Sequence, residues 1–449
     1  MRKILSIAIV VLALTPVFRA RQATVTTGTN SGQPVVRVAL PEFQLAATDP
    51  NSARLISIFN QVLWDDLDYS GSISLVSRSF YPKGRFQVPT DIRVDDWTAP
   101  GVNAQFIAFG NASLVARGLQ VDARLWDLGV TQNREVLPVR LTSQGTSDDA
   151  IRQVAHLFAD NIVDKLFSSQ MGVARTKLTY VSCRGNCSGK DAAKEIWVSD
   201  YDGANEYQLT TYRSTSLTPN WAPDGEKIAY TTYRRGTVDI EIMSRFDRRL
   251  FPFAGIGGTT TTPEWSPDGG QIVFSSSKEG NDMELYVADW NGRNQRRLTV
   301  AKGIDISPTW NPRTGREIAF VSSRGGSPQI YVMDADGGNV HRVISEGVGS
   351  YDPAWSKDGQ FIAFSSQRSS SSRLNIFLHN LSSGRSVQLT NDLGDSEQPS
   401  WAPDGRHIAF VSSKTGSPQI YTILADGSKL RQITRTGRNE GPAWSAFFK

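Results

Sequence analysis

One seven-residue motif decides the fold of this chain: Pro-Asn-Trp-Ala-Pro-Asp-Gly at 219–225. It returns as Pro-Glu-Trp-Ser-Pro-Asp-Gly at 263–269, and variants of it begin at Pro308, Pro353, Pro399 and Pro442. The Trp residues of successive copies are 44, 45, 45, 46 and 43 positions apart. Self-similarity at about 40–45 residues is typical of repeat architectures, and β-propellers in particular have this period.

Three short runs follow each Trp in a fixed order, and each predicts a β-strand. The first resembles Ile228-Ala229-Tyr230, the second resembles Leu285 to Gly292, and the third ends on Leu-Thr as in Gln208-Leu209-Thr210. All are short, rich in β-branched or aromatic residues, and bounded by turn residues. Because Pro cannot donate to a β-ladder, the Trp strand is expected at the inner edge of each sheet. Four strands per repeat define a propeller blade, with the Trp as a packing wedge between blades.

The two ends of the repeat region complete each other. The runs at 178–180, 195–200 and 207–210 have no Trp strand before them, and the Trp strand around Trp444 has no such runs after it. We therefore expect the strand at 440–447 to pair with residues 177–182, which leaves no free radial edge. The predicted fold is an N-terminal α+β domain at 35–170 followed by an all-β six-bladed β-propeller at 174–449, closed by pairing of the C-terminal strand with the first propeller strand.

Residues 35–170 have a different hydrophobic pattern from the repeats. Apolar residues in 53–67 and 148–167 recur at helical spacing. Segments that read as strands lie at 35–44, 73–77, 106–109, 114–126 and 134–141.

The N-terminus is typical of an export signal. Arg2 and Lys3 precede a 14-residue, mainly apolar stretch from Ile4 to Val17, which is shorter than the roughly 20 residues a spanning helix needs. We assign residues 1–22 to a signal peptide and 23–34 to a flexible, polar tail. An uncleaved anchor is the alternative, and no sequence near residue 20 is a good cleavage site. Export predicts a periplasmic, oxidising location.

Cys183 and Cys187, the only two cysteines, are expected to form a local disulfide. A metal site is disfavoured because no further Cys and no nearby His completes a ligand set. Two free thiols remain the alternative.

Composition and motifs favour a binding protein over an enzyme. The many aromatic residues exclude a disordered chain, and a net charge of +4 over 449 residues gives no case for a nucleic-acid partner. The four His residues are scattered over different predicted elements, and no Gly-x-Ser-x-Gly motif is present. We predict no enzymatic activity, no cofactor and a monomer. The alternative is a propeller hydrolase, or a module that binds peptide or carbohydrate.

The loops that lead into the inner strands at one mouth of the propeller channel form the candidate site, since loops on a rigid scaffold often carry recognition. Four of these mouth loops carry a carboxylate, namely Asp305, Asp352, Glu397 and Glu440. Converging carboxylates favour a basic partner segment or a bound cation. The alternative is that they are merely solvated.

The export signal, the polar tail, the α+β domain ending in Ala-His-Leu-Phe-Ala-Asp-Asn-Ile at 155–162 and the six Trp repeats together resemble the TolB family of the Tol–Pal envelope system. The resemblance implies a periplasmic, non-enzymatic adaptor that links the inner-membrane protein TolA to the peptidoglycan-associated lipoprotein Pal and supports outer-membrane integrity and constriction at division. Outer-membrane proteins are further expected partners.

The resemblance also assigns residues to the two partners by position. Where some family members have a loop His, this chain has Thr259. The Pal-facing candidates are Thr259, Thr260, Thr261, Thr262, Asp305, Ile306, Tyr351 and Asp352, joined by the carboxylates Glu397 and Glu440. The TolA-facing candidates are Gln22, Ala23, Thr24, Val25, Thr26 and Thr27.

Overall fold

The computed structural model describes residues 35–45, 50–168, 171–185, 187, 192–280, 282–344, 347–391 and 393–448. The predicted signal peptide at 1–22, the tail at 23–34 and the TolA-facing candidates Gln22 to Thr27 lie outside the described residues. Within the described ranges, no helix combines the length and apolar character needed to cross a bilayer.

The N-terminal region forms one mixed sheet with helices on it. Its strands are β1 (Val36–Ala39), β2 (Gln44–Leu45), β3 (Ile73–Leu75), β4 (Phe106–Val115), β5 (Gly118–Asp127) and β6 (Glu135–Thr142). Its helices are α1 (Pro50–Tyr69), α2 (Val94–Thr98) and α3 (Asp148–Leu166). The strand order is β3-β1-β4-β5-β6, with β2 paired to β4. This arrangement is the α+β region that the sequence predicts.

Local chemistry explains where the two long helices begin and end. Pro50 opens α1, where its missing N–H costs nothing, and Gly71 follows the helix with a φ of 66°. The Ser147 hydroxyl caps α3 by accepting the Ala150 N–H at 3.2 Å. The apolar faces of both helices share one core with the sheet, which includes Phe59 and Phe158.

Five four-stranded antiparallel sheets follow in sequence. Blade 1 comprises β10 (Ser216–Trp221), β11 (Lys227–Thr232), β12 (Asp239–Ser244) and β13 (Leu250–Phe251). Blade 2 comprises β14 (Thr260–Trp265), β15 (Gln271–Ser276), β16 (Glu284–Asp289) and β17 (Arg296–Arg297). Blade 3 comprises β18 (Asp305–Trp310), β19 (Glu317–Ser322), β20 (Gln329–Asp334) and β21 (His341–Arg342). Blade 4 comprises β22 (Gly349–Trp355), β23 (Phe361–Gln367), β24 (Asn375–Asn380) and β25 (Arg385–Gln388). Blade 5 comprises β26 (Ser396–Trp401), β27 (His407–Ser412), β28 (Gln419–Leu424) and β29 (Arg431–Gln432).

Blade 6 is built from both ends of the repeat region. It comprises β30 (Arg438–Trp444), β7 (Lys177–Cys183), β8 (Glu195–Asp200) and β9 (Tyr207–Gln208), in that order. β30 runs antiparallel to β7, with Asn439 opposite Ser182 and Trp444 opposite Leu178. The structure thus contains the strand pairing that the incomplete end repeats predict.

The repeated Trp residues pack between blades. Trp221 is buried, and its indole nitrogen donates to the carbonyl of Ala443 in blade 6 at 3.2 Å. Trp355 and Trp401 make the same kind of bond to the preceding blade, at 3.2 and 3.1 Å. This geometry confirms that the Trp is a packing wedge.

The N-terminal region contacts the propeller face opposite the mouth loops. Within a blade, the turn between the first two strands and the turn between the last two lie at the end of the sheet away from the mouth. Both turn types carry the contacts: His407 Nε2 lies 2.9 Å from the carbonyl oxygen of Tyr69, and Lys429 pairs with Asp68 at 2.8 Å. In blade 6, Tyr201 donates to Asp66. The mouth face is therefore the one that the α+β region leaves accessible.

Candidate functional site

All six inner strands have the same backbone irregularity at the residue before the Pro of the repeat. The preceding residue has a φ between 49° and 57° in each: Thr218, Thr262, Ser307, Asp352, Gln398 and Gly441. A positive φ is disfavoured for residues with a Cβ, and doubly so for the β-branched Thr. A β-bulge accompanies it, as between Leu217 and Asn220 in blade 1. Strain of about 1–3 kcal/mol per residue survives only where the surroundings impose it, and such strain often marks functional sites.

Hydrogen bonds between neighbouring blades hold this ring in place. The N–H of Thr262 donates to the Thr231 hydroxyl at 3.2 Å. The N–H of Gln398 donates to the Ser365 hydroxyl at 3.0 Å, and the Gln398 side-chain oxygen accepts the Gly441 N–H at 2.8 Å. These bonds join blade 1 to blade 2, blade 4 to blade 5, and blade 5 to blade 6 at the mouth.

Three of the four predicted carboxylates come together at this rim. Burial raises the pKa of Glu397, and repulsion from Asp352, Asp395 and Glu440 raises it further. Burial also raises the pKa of Asp352, although the Ser365 hydroxyl donates to it at 3.2 Å. Glu440 is ion-paired with Lys194. The raised pKa values show that negative charge on Asp352 and Glu397 is disfavoured at this place.

Asp305 does not join this group. Its side chain is 0% exposed and accepts from Arg324 at 2.7 Å, because it occupies the first position of its inner strand. Ser216 and Thr260 hold the equivalent position in blades 1 and 2 and are also buried. The expectation that Asp305 presents its carboxylate at the mouth is therefore wrong, since strand register turns it into the blade.

The remaining predicted residues differ in accessibility. Thr259 is exposed, whereas Thr260 is buried and its hydroxyl lies 3.2 Å from that of Ser276. The others are partly exposed, at the second to fourth positions of an inner strand: Thr261, Thr262, Ile306, Tyr351 and Asp352. No contact in the isolated chain tests whether they bind a partner, so those assignments stay predictions.

Glu264 is a titratable residue in the inner strand of blade 2 that the sequence argument overlooked. Its carboxylate accepts from the Thr309 hydroxyl and from the Trp310 N–H, both at 2.9 Å. Burial raises its pKa to about 7, although these two hydrogen bonds act in the opposite direction. Asn220 holds the equivalent position in blade 1 and accepts from the Trp265 N–H in the same way at 3.2 Å. Alignment of the repeats could therefore have indicated that the residue before each Trp links adjacent blades.

Several loops of the mouth face carry exposed apolar side chains, and sequence reasoning also missed these. Val300, Ile304 and Val348 lie in mouth loops and are 81%, 45% and 45% exposed. Tyr233, in the adjacent turn between β11 and β12, is exposed too. Clustered exposed apolar residues are typical of interaction surfaces. Ile304 directly precedes the inner strand that begins at Asp305. The apolar residues in the loop sequences could therefore have indicated this surface.

A disulfide joins Cys183 and Cys187 in the structure, with their Cα atoms 5.7 Å apart. Cys183 ends β7 and lies opposite Arg438 of β30. The link therefore sits in the closing sheet, at its mouth end.

Two His residues that are far apart in sequence meet at the interface between the α+β region and the propeller. His156 Nδ1 lies 2.7 Å from Asp66, and His407 Nδ1 lies 2.6 Å from Asp404. Tyr201 stacks edge-on to His156, and Tyr69 lies against His407. These pairs are buried away from the mouth, which fits a packing role. Among the described residues, no group of three or more His, Cys, Asp or Glu side chains is placed to hold a metal ion; a cation in the channel stays a prediction.

These features define a class of protein: a six-bladed β-propeller with an N-terminal α+β region. Residues 164–374 and 352–447 match the family described as "TolB beta propeller domain". The chain belongs to the TolB family.

Individual relatives agree with this assignment. The chain is 33% identical over 317 residues to the Tol-Pal system protein TolB of Anaeromyxobacter dehalogenans, covering 68% of this chain and 67% of that relative. It is 33% identical over 269 residues to the protein of the same name from Ruegeria sp. (strain TM1040), covering 60% of this chain. The match spans 58% of the length of the Ruegeria relative. The crystal structure of TolB from Acinetobacter baumannii superposes with a TM-score of 0.78 at 24% identity, covering 93% of this chain and 98% of that one.

Proposed function

We propose that this chain is a periplasmic, non-enzymatic adaptor of the Tol-Pal system in the bacterial cell envelope. Its mouth face would bind the lipoprotein Pal, and its N-terminal tail would bind the inner-membrane protein TolA. The names of its relatives, "Tol-Pal system protein TolB", support membership of that system. In this role the chain supports outer-membrane integrity and constriction during division.

The convergence of Asp352, Glu397 and Glu440 at the channel mouth is the observation that carries the proposal. Burial and repulsion from the neighbouring carboxylates raise the pKa of Glu397, so a basic side chain entering the mouth relieves an existing electrostatic cost. Val300, Ile304 and Val348 lie in the loops that lead into blades 3 and 4 and are exposed in the free chain. Apolar side chains that a partner covers exclude water from the contact and strengthen a nearby charge interaction.

The inter-blade hydrogen bonds at the mouth favour docking without rearrangement. Binding to a preformed surface loses little conformational entropy. The α+β region sits on the opposite face, where Tyr69 meets His407, so it leaves the mouth accessible to a folded partner.

Calorimetric titration of the full chain with Pal from the same organism tests the mouth assignment. The double variant Asp352→Asn/Glu397→Gln should bind about tenfold or more weakly, equivalent to about 1.4 kcal/mol. Glu226→Gln is the matched control, because Glu226 is exposed on a turn of the opposite face. Equal affinity of the double variant and the control for Pal would contradict the assignment of Pal binding to the mouth.

The tail assignment needs its own experiment. Deletion of residues 21–33 should abolish binding of the periplasmic part of TolA and leave the mouth intact. Retention of TolA binding by the deletion variant would leave the tail without this role.

A further inference from the structure

One side-chain contact at the outer edge of four blades has no counterpart in blade 1. The third strand of every blade begins, at the mouth end of its sheet, with an acidic or amide residue. In blades 2, 4, 5 and 6 a Thr hydroxyl, just after the fourth strand, donates to that side chain at 2.5 to 3.2 Å. The donor–acceptor pairs are Thr299–Glu284, Thr390–Asn375, Thr434–Gln419 and Thr210–Glu195.

Blade 1 has a carboxylate at the same place but no hydroxyl to meet it. Asp239 begins β12, and residues 250–258 read Leu-Phe-Pro-Phe-Ala-Gly-Ile-Gly-Gly. The register of β12 and β13, continued toward the mouth, places Ala254 opposite Asp239. The chain turns away at this point, because the Ala254 N–H donates to the Asn291 carbonyl of blade 2 at 2.8 Å. Ala254 is exposed, whereas the four Thr residues are at most 4% exposed.

Asp239 therefore has an unused hydrogen-bond acceptor. Among the residues that the structure describes, only the Ile240 N–H donates to it, at 2.8 Å to Oδ1. Burial raises the pKa of Asp239, and the Arg235 guanidinium acts in the opposite direction. The charges of Asp239 and Arg235 are thus close enough to interact, and Oδ2 of the carboxylate is left for a ligand.

A cavity of about 360 Å³ lies beside this carboxylate. Its apolar lining includes Phe251 and Phe253, which are both partly exposed. Its polar lining includes Asp239 and Arg235. Ligand sites commonly have volumes of about 300–1,000 Å³, apolar walls and a few polar groups. The cavity has the size and the lining of a small-molecule site.

Arg235 has donors for a ligand although it already has a partner. Its Nη2 lies 3.3 Å from Oε1 of Glu241, but its side chain is 67% exposed. Glu241 also pairs with Arg234 at 2.9 Å and accepts from the Tyr230 hydroxyl at 2.9 Å. A guanidinium has five N–H donors, so one contact leaves others available. Because Arg234 and Glu241 balance each other, Asp239 and Arg235 supply one negative and one positive charge to the cavity.

We propose that this cavity binds a free α-amino acid with an apolar side chain. The ammonium group would donate to Asp239, the carboxylate would accept from Arg235, and the side chain would pack against the two phenylalanine rings. A ligand with a single charge leaves the other charge of the cavity unmatched, whereas an amino acid supplies both at adjacent positions. Both polar contacts are charge-assisted hydrogen bonds, which are about twice as strong as neutral ones. The site goes beyond the proposed Tol-Pal function, and nothing in it depends on Pal.

Calorimetric titration of the full chain with L-phenylalanine tests the proposal. We expect saturable binding to one site with a Kd of about 1 mM or lower, which a ligand of this size can reach. Phenethylamine lacks the carboxylate and 3-phenylpropionate lacks the ammonium group, so each should bind about tenfold more weakly. N-acetylphenylalanine amide carries neither charge and should not bind. Absence of saturable binding up to about 20 mM L-phenylalanine, or equal affinity for phenethylamine, would overturn the proposal.

Two variants separate the two polar contacts. Asp239→Asn should weaken binding of L-phenylalanine about tenfold and leave that of 3-phenylpropionate unchanged, because this analogue has no ammonium group. Arg235→Gln should weaken binding of L-phenylalanine to a similar extent and leave that of phenethylamine unchanged. Lys278→Gln is the control, because Lys278 is exposed on the equivalent turn of blade 2, and it should bind L-phenylalanine as the parent does.

Arg235→Gln keeps the test decisive if Asp239→Asn does not fold. Arg235 is exposed, so this variant should keep the melting temperature of the parent. Unchanged binding of L-phenylalanine by Arg235→Gln would contradict the carboxylate contact. Equal losses of L-phenylalanine and of both analogues in either variant would contradict the proposed orientation of the ligand.

Discussion

The indole nitrogen of Trp444 donates to the hydroxyl of Thr176 at 2.8 Å, joining residues 268 positions apart. Trp444 ends the last strand, and Thr176 immediately precedes the first propeller strand. Lys177 adds a second link at the same place, because its N–H donates to the Ser445 hydroxyl at 3.0 Å. The ring is thus fastened by side chains as well as by the β30–β7 ladder.

This fastening predicts unequal effects of the same substitution at two equivalent Trp positions. Trp444→Phe removes the bond to Thr176 and should lower the free energy of unfolding by about 1 kcal/mol more than Trp265→Phe. Trp265 is the matched control, because its buried indole nitrogen has no hydrogen-bond partner among the described residues. Urea denaturation of both variants measures the difference, and equal losses would show that the bond adds nothing to closure.

The disulfide should stabilise the closing sheet. Cys183 and Cys187 are separated by only four positions, so closing this small loop is worth about 2 kcal/mol in the chain-entropy account. We expect reductant to lower the urea midpoint of the parent protein and to leave that of Cys183→Ser/Cys187→Ser unchanged. A urea midpoint of the parent protein that reductant does not change would contradict this expectation.

Glu264 should make stability depend on pH. Its pKa is raised from 4.5 to about 7, so between these values the folded chain holds a proton that the unfolded chain releases. Stability therefore falls as the pH rises through this window and stays lower above it. Glu264→Gln keeps the acceptor for Trp310 and should be about 1–3 kcal/mol more stable than the parent at pH 8, a range that allows for partial exposure of the side chain.

Urea denaturation from pH 4.5 to 8 measures this effect. Glu264→Ala is the control for the hydrogen bonds, because it removes the charge and the acceptor together and should be less stable than Glu264→Gln at every pH. Parallel pH profiles for the parent and Glu264→Gln would contradict the assigned pKa.

Two carboxylates that look alike in sequence should respond in opposite ways to neutralisation. Burial raises the pKa of Asp305, but Asp305→Asn leaves the Arg324 guanidinium without the carboxylate that accepts from it at 2.7 Å, and this loss should cost about 2 kcal/mol of stability. Glu397→Gln relieves repulsion from Asp352 and Glu440, so stability should stay within about 0.5 kcal/mol of the parent or rise. Thermal melting of the two variants checks this, and a larger loss for Glu397→Gln would reverse the roles assigned here.

Much of the fold follows from the repeat itself. The turn residues, the Pro and the Trp mark each inner strand, and incomplete repeats at the two ends predict closure through β30 and β7. What the sequence did not reveal is the β-bulge that places residues such as Thr262 at positive φ. The strand sequence does not signal this register shift, because the buried Thr260 before the bulge is as polar as the partly exposed Thr261 and Thr262 that follow it.

The site was harder to predict than the fold. Counting carboxylates in mouth loops found Asp352, Glu397 and Glu440, but it included Asp305, which is one or two strand positions out of register with them. The count also passed over Glu264, whose side chain reaches blade 3 rather than solvent. The contacts of His156 with Asp66 and of His407 with the Tyr69 carbonyl gave no local signal, since these partners come from distant segments.

Hydrogen–deuterium exchange of the full chain, alone and saturated with Pal, tests the central claim most directly. The account predicts slower exchange in the mouth loops at 303–306, 347–352 and 396–398, with unchanged exchange in the opposite-face turns at 402–407 and 424–429. Protection confined to those turns and to the α+β region, with none at the mouth, would contradict it.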